Sequence, residues 1–197
     1  MGHCDKKIKN CVEADCNKPN FSGVESKAWI FNKEDVTIHF DENDGNVIDS
    51  ITNIGTAHGY TITQFGKTPF NGTSTSMVEG NAGNKFTNTL SFIVPDNSHT
   101  ASNTIIDNLA NGKFVVVIEN SYAGSDDESA YQVYGSKKAL TASAIENDKY
   151  SEETDGGWQI TLTEENTPIS AAFLLPTLGT DQTMRDYMSN IAPDCAN

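Results

Sequence analysis

The sequence predicts a mainly β fold: an antiparallel sandwich or barrel with one flanking helix and a second helix at the C-terminus. Three observations point there. The apolar set is dominated by β-branched residues, 15 Ile and 10 Val against 7 Leu, and these fit a pleated surface better than a helix. Asn, Thr and Ser add 20, 20 and 16 residues, which suits turns and exposed strand faces. Apolar–polar alternation recurs along the chain, interrupted by only two helical patterns. Strands and helices do not alternate regularly, which argues against a doubly wound parallel sheet.

At 197 residues the chain is long enough for one domain with a real core. Residues 1–27 read as an arm: they hold Cys4, Cys11 and Cys16 and few large apolar side chains. Residues 28–197 read as the single β domain. Its first strand signal is Ala28-Trp29-Ile30-Phe31. Val36, Ile38 and Phe40 alternate and share one face. Asp44-Gly45-Asn46 is turn chemistry, and Val47 to Ile51 completes a hairpin. Tyr60 to Thr63 continues the series. Gly66 to Lys85, rich in Gly, Asn, Ser and Thr, reads as a long loop. Phe86 to Val94 alternates and is closed by Pro95.

A helix follows from Thr100 to Asn111, with Ser98 or Thr100 as its cap. Ile105, Ile106 and Leu109 form its buried stripe, and Gly112 stops it. Phe114 to Ile118 does not alternate, so it reads as a strand covered on both faces. Tyr131 to Tyr134 and Leu140 to Ala144 are weaker strands around a turn at Gly135-Ser136. Trp158 to Thr163 is the cleanest alternating strand, and Ala171 to Leu175 is the last. Met184, Tyr187, Met188 and Ile191 recur at helical spacing, predicting a helix over 180–191.

Charge narrows the function. Thirteen basic residues against 27 acidic give −14, and Arg185 is the one arginine. A surface that grips nucleic acid needs clustered Arg and Lys, as does polybasic membrane docking. No run approaches the roughly 20 apolar residues of a membrane-spanning helix. The opening residues lack the apolar core of a secretory signal, so the expectation is a protein without export.

The constellations that could carry chemistry are weak. Cys4, Cys11, Cys16 and Cys195 lack the close knuckles of a structural zinc site; free thiols, a disulfide and a metal site all remain readings of them. Asp41 to Gly45 resembles the start of a calcium loop, but Asn46 stands where glycine is needed and Thr52 where glutamate is needed. His3, His39, His58 and His99 lie apart in the sequence. His39 alternates with Ile38 and Phe40, so it belongs on the wetter face. No Gly-x-Ser-x-Gly elbow or phosphate-binding loop occurs. Trp158 is in phase with Ile160 and Leu162, which favours core packing over sugar stacking. Two acidic clusters stand out: Asp126, Asp127 and Glu128, then Glu146, Asp148, Glu152, Glu153 and Asp155. Both sit in turn-rich segments and read first as solvated loops. The sequence therefore predicts no catalytic residues, no cofactor and no metal.

One stretch resembles a known family. It runs from the strand Phe86 to Val94 through the helix and on to Gly112-Lys-Phe-Val-Val-Val-Ile-Glu119. Tyr131-Gln-Val-Tyr-Gly135 follows, then Gly157-Trp158-Gln-Ile-Thr-Leu162. This order resembles tail-tube-like structural proteins of tailed bacteriophages, closest to phages of Bacteroides-like gut bacteria, the crAss-like group included. The resemblance covers under half the chain. It implies a non-enzymatic virion protein, a tail tube, hub or ring subunit made in the host cytoplasm. Its partners would be copies of itself in a ring and neighbouring tail or portal-adaptor proteins. Double-stranded DNA would pass through the ring without specific binding. The acidic clusters would then line a lumen that repels phosphate over a Debye length of about 8–10 Å. The 1–27 arm and the 66–85 loop would be the contacts between subunits. The competing expectations are a carbohydrate-binding β-sandwich module and a two-carboxylate hydrolase.

Overall fold

The computed structural model describes residues 22–80, 83–123, 129–179 and 182–194. It is a sandwich of two sheets, not a closed barrel. The large sheet holds β1 (Val24–Asn32), β2 (Val36–Phe40), β3 (Val47–Asn53), β4 (Tyr60–Thr63), β7 (Phe114–Asn120), β8 (Tyr131–Tyr134) and β11 (Ala172–Leu174). Its order is β2-β3-β11-β8-β7-β1-β4. Every pairing is antiparallel except β3 with β11. The small sheet holds β5 (Ser74–Val78), β6 (Lys85–Val94), β9 (Thr141–Asn147) and β10 (Trp158–Thr167), in the order β5-β6-β10-β9.

The large sheet is the middle layer. Ala28, Val116, Ile118 and Tyr134 face Leu90, Phe92, Ile160 and Leu162 of the small sheet, with Ile106 and Leu109 of the flanking helix. Trp29, Phe31, Val115, Val117 and Val133 face the opposite way, into a second core closed by Met188 and Ala192. The unbroken apolar run Phe114 to Ile118 follows from this: alternate side chains enter alternate cores, and all five are buried.

The flanking helix, α1, spans residues 99–111. Ser98 caps it, its hydroxyl accepting from the Ala101 N–H at 3.1 Å. Its middle, Ser102–Ile106, is a wider π turn. The wider turn rotates Ile105 off the expected stripe, so Ile106 and Leu109 are buried while Ile105 stays 41% exposed. The helix stops at Gly112 in an extended conformation, not a left-handed one. The C-terminal helix α2 is Met184–Ile191, with Thr183 and Asp186 forming a capping box. Tyr187 fastens it to β3, its hydroxyl donating to the Ile51 carbonyl at 2.9 Å and accepting from the Ile51 N–H at 2.7 Å.

Two expectations change. Gly66 to Lys85 is not one loop, because β5 lies inside it and pairs with β6 along its length. All five β5 residues are exposed, so no alternation marks the strand in the sequence. The first strand begins at Val24, so residues 24–27, placed in the arm by the sequence, are part of the large sheet.

Glu164 is the polar centre of the fold, with 1% of its surface exposed. One carboxylate oxygen accepts from Asn88 Nδ2 at 2.9 Å and the Gly135 N–H at 3.2 Å. The other accepts from the N–H groups of Lys137 at 3.1 Å and Lys138 at 2.7 Å. A buried carboxylate needs such donors to offset its lost hydration. The same turn needs glycine at 135, where φ is +81° and a Cβ would run into the Phe114 carbonyl and the Leu140 N–H. Glu164→Ala leaves these donors unpaired in the interior. It is expected to cost about 3 kcal/mol, measured by urea denaturation.

Burial pushes the Tyr134 hydroxyl up to about 12, from 10.0, with the Thr75 side chain pulling slightly the other way. Burial first and then Glu119 push Tyr131 up to about 12 as well. For an acid whose folded value is raised, the stabilisation is full below the unfolded value and is lost as pH climbs to the folded one. Stability should therefore fall between pH 10 and about 12. Tyr134→Phe should flatten that fall in denaturation curves taken across this window.

Candidate assembly surface

A groove of about 800 Å³ lies between the β4 edge of the large sheet and helix α1. Its lining includes Ile30, Tyr60 and Ile62 from the sheet edge, Phe92 and Val94 from β6, and Ile105 and Leu109 from the helix. Topology creates it. The chain places β4 outside β1, and among the described residues no strand pairs with β4 on its other side. An edge strand offers unpaired backbone donors and acceptors, so it is a template for another strand. Tyr60, 49% exposed, and the exposed Ile105 present apolar surface here, while Phe65, 87% exposed, lines a separate, smaller pocket just past β4. A second apolar pair, Met77 and Val78, is exposed on β5, one of the two edge strands of the small sheet among the described residues.

The acidic residues singled out in the sequence divide. Asp126, Asp127 and Glu128 lie outside the described residues, as do Cys4, Cys11, Cys16 and Cys195. Glu146 lies near the end of β9, one residue before Asn147, and Asp148, Glu152, Glu153 and Asp155 follow on the loop to β10. All five are exposed. The loop is internally bonded. Asn147 Nδ2 donates to the carbonyls of Gly156 and Gly157 at 3.0 and 2.9 Å, and to Asn97 Oδ1 at 3.0 Å. Ser151 N–H donates to the Asp148 carbonyl, and Gly156 N–H to the Ser151 carbonyl. Lys149 Nζ is held by Asn97 Oδ1 at 3.0 Å. The carboxylates form an exposed acidic ridge at one end of the small sheet, and Glu153 among them lines a smaller pocket with Phe65, Phe70 and Gln159.

Lysines collect at the other end of the same strands. Lys137 and Lys138 lie on the turn bound by Glu164, and both are exposed. Lys33 Nζ reaches the Ser136 carbonyl, and the Lys113 carbonyl accepts from the Lys33 N–H. Burial lowers the Lys33 ammonium from its ordinary value, with Glu164 opposing that shift. Lys137 Nζ sits 3.2 Å from the centre of the Phe40 ring.

The remaining candidates take structural places. Trp29 is 1% exposed and tilts against Tyr131, ring centres 5.9 Å apart, so it offers no face to a sugar. Trp158 is half-buried at the margin of the first core. His39 is exposed, and His58 meets the edge of the Tyr60 ring. Asp41 folds its carboxylate onto the N–H groups of Asn43 and Asp44, making the turn of the first hairpin. Among the described residues, no group of His, Cys, Asp and Glu converges as a metal site.

No family model, curated protein or solved structure matches this chain. The surface was only partly readable beforehand. The groove has no sequence signature, because it depends on where β4 pairs. Glu164 did leave one: it is in phase with Ile160 and Leu162 and so points inward. Asn147→Ala should release the 148–157 loop. The expected outcome is faster cleavage there in limited proteolysis, with the unfolding midpoint lowered by about 1–2 kcal/mol equivalent.

Proposed function

We propose that this chain is a non-enzymatic structural subunit that assembles with copies of itself into a ring, of the tail-tube kind found in tailed bacteriophages. The observation that carries the reading is the unpaired β4 edge lying beside a large apolar groove. A closed ring needs two different patches that meet each other. The β4 edge with its groove supplies one, and the exposed β5 edge of the small sheet is suited to be the other. The sandwich with its flanking helix agrees with the fold that the resemblance implies. The charge of −14 suits a ring that conducts DNA, since lumen carboxylates repel phosphate and leave the strand free to slide. The acidic ridge from Glu146 to Asp155 is the candidate part of that lumen among the described residues. On this reading the chain is a virion protein whose partners are its own copies and adjoining tail proteins.

Negative-stain electron microscopy of the purified protein over a concentration series tests this. Rings or short tubes with open centres are expected. Ile105→Glu places a charge at the mouth of the groove, on an exposed helical position, and should abolish them while circular dichroism stays unchanged. Isolated particles at every concentration, for the unmodified chain, would count against the proposal.

A further inference from the structure

Asparagine followed by glycine occurs twice in this chain, at Asn71-Gly72 and at Asn111-Gly112. Glycine has no Cβ to shield its nitrogen and lets the backbone swing, so both pairs carry the same latent reaction. The fold treats them differently. Both asparagines are exposed, so access to water does not separate them. At 111 the reacting groups are engaged. Asn111 Nδ2 donates to the Asp107 carbonyl at 2.9 Å, and the Gly112 N–H donates to the Asn108 carbonyl at 2.8 Å. Asn111 is also the last residue of α1, which holds its backbone in the helical form. At 71 the turn from Phe70 to Thr73 is closed by the Thr73 N–H on the Phe70 carbonyl at 3.1 Å, which leaves the Gly72 N–H out of that bond. Among the described residues no acceptor engages the Gly72 N–H. Asn71 Nδ2 reaches Glu153 Oε1 at 3.5 Å, the outer limit of a hydrogen bond.

We infer that Asn71 is a site of spontaneous modification, converting to aspartate and isoaspartate through a cyclic imide while Asn111 keeps its amide. The reaction needs only water and hydroxide. The Gly72 nitrogen gives its proton to hydroxide and attacks Asn71 Cγ. The new N–Cγ bond closes the imide ring, and the Cγ–Nδ2 bond breaks, releasing ammonia. Water then opens the ring at either carbonyl. Breaking the new N–Cγ bond gives aspartate, and breaking the original main-chain bond gives isoaspartate. The consequence follows from the neighbours. The new carboxylate faces Glu153, so a contact between the loop after β4 and the loop before β10 becomes a repulsion between like charges. Isoaspartate also lengthens the backbone beside Phe70, which is buried in the first core and stands at φ +55°. The small pocket lined by Phe65, Phe70, Asn71 and Glu153 is therefore where the molecule changes with age. Asn71 and Gly72 neither line the groove nor belong to β4, so the reaction is independent of assembly.

The test uses the full chain, incubated folded in mildly alkaline buffer, where the Gly72 nitrogen gives up its proton more readily. Digestion and mass spectrometry then map the products, since each conversion replaces an amide NH2 by OH. The peptide holding residue 71 should convert progressively, while the one holding residue 111 stays unchanged over the same period. In urea both should convert at similar rates, because the hydrogen bonds that shelter residue 111 are gone. Asn71→Gln should stop the reaction at 71, because its longer side chain closes a ring far more slowly. Asn71→Asp supplies one product directly and should speed limited tryptic cleavage after the exposed Lys67. No conversion at 71, conversion at 111 as fast as at 71 in the folded chain, or a difference that persists in urea would each overturn the inference. An Asn71→Asp chain cleaved at the unmodified rate would overturn the loosening assigned to the new charge.

Discussion

Everything in this structure depends on a central sheet buried on both faces. Strand β7 shows the constraint most plainly: Phe114, Val116 and Ile118 enter one core, and Val115 and Val117 the other. A sheet covered on one side alone would place polar residues at every second position, and β7 has none between 114 and 118. The two cores demand two covers. The small sheet and α1 supply the first, and α2 with its flanking loops supplies part of the second. Small devices position those covers, among them the Thr183–Asp186 capping box and the two hydrogen bonds between Tyr187 and Ile51.

The two layers are joined at one end by Glu164. It belongs to the small sheet, yet it binds the turn that leaves the large sheet at Gly135. That turn then feeds Leu140 into its bridge with Phe114 and starts β9. A single buried carboxylate thus fixes how the small sheet is entered, and it fixes the backbone that displays Lys137 and Lys138. Burial alone would penalise the charge, so the four donors are what make this position tenable.

Much of this was legible in the residues. Strands with one buried face announced themselves by alternation, as β10 did through Ile160 and Leu162. The doubly covered strand did so by lacking it. The two helices were visible from Ile106 and Leu109, and from Met184 to Ile191. Three things were not. Strand β5 carries no burial signal, because its five residues face solvent on both sides. The turn of α1 widens at Ser102–Ile106, so the spacing rule misplaced Ile105. The groove arises from a pairing between distant segments, β4 against β1, and periodicity says nothing about which strand ends a sheet. The acidic ridge was readable as composition, while the hydrogen bonds by which Asn147 holds its loop were not.

On the assembly reading proposed above, the β4 edge and the groove beside it are where this molecule would meet its own copies. The direct measurement is amide hydrogen exchange at residues 60–63, followed by mass spectrometry as protein concentration rises. The account predicts that these amides, those not already bonded to β1, become protected when molecules associate, along with the groove-facing side of α1. Association that leaves the β4 amides exchanging at their dilute rate would contradict it.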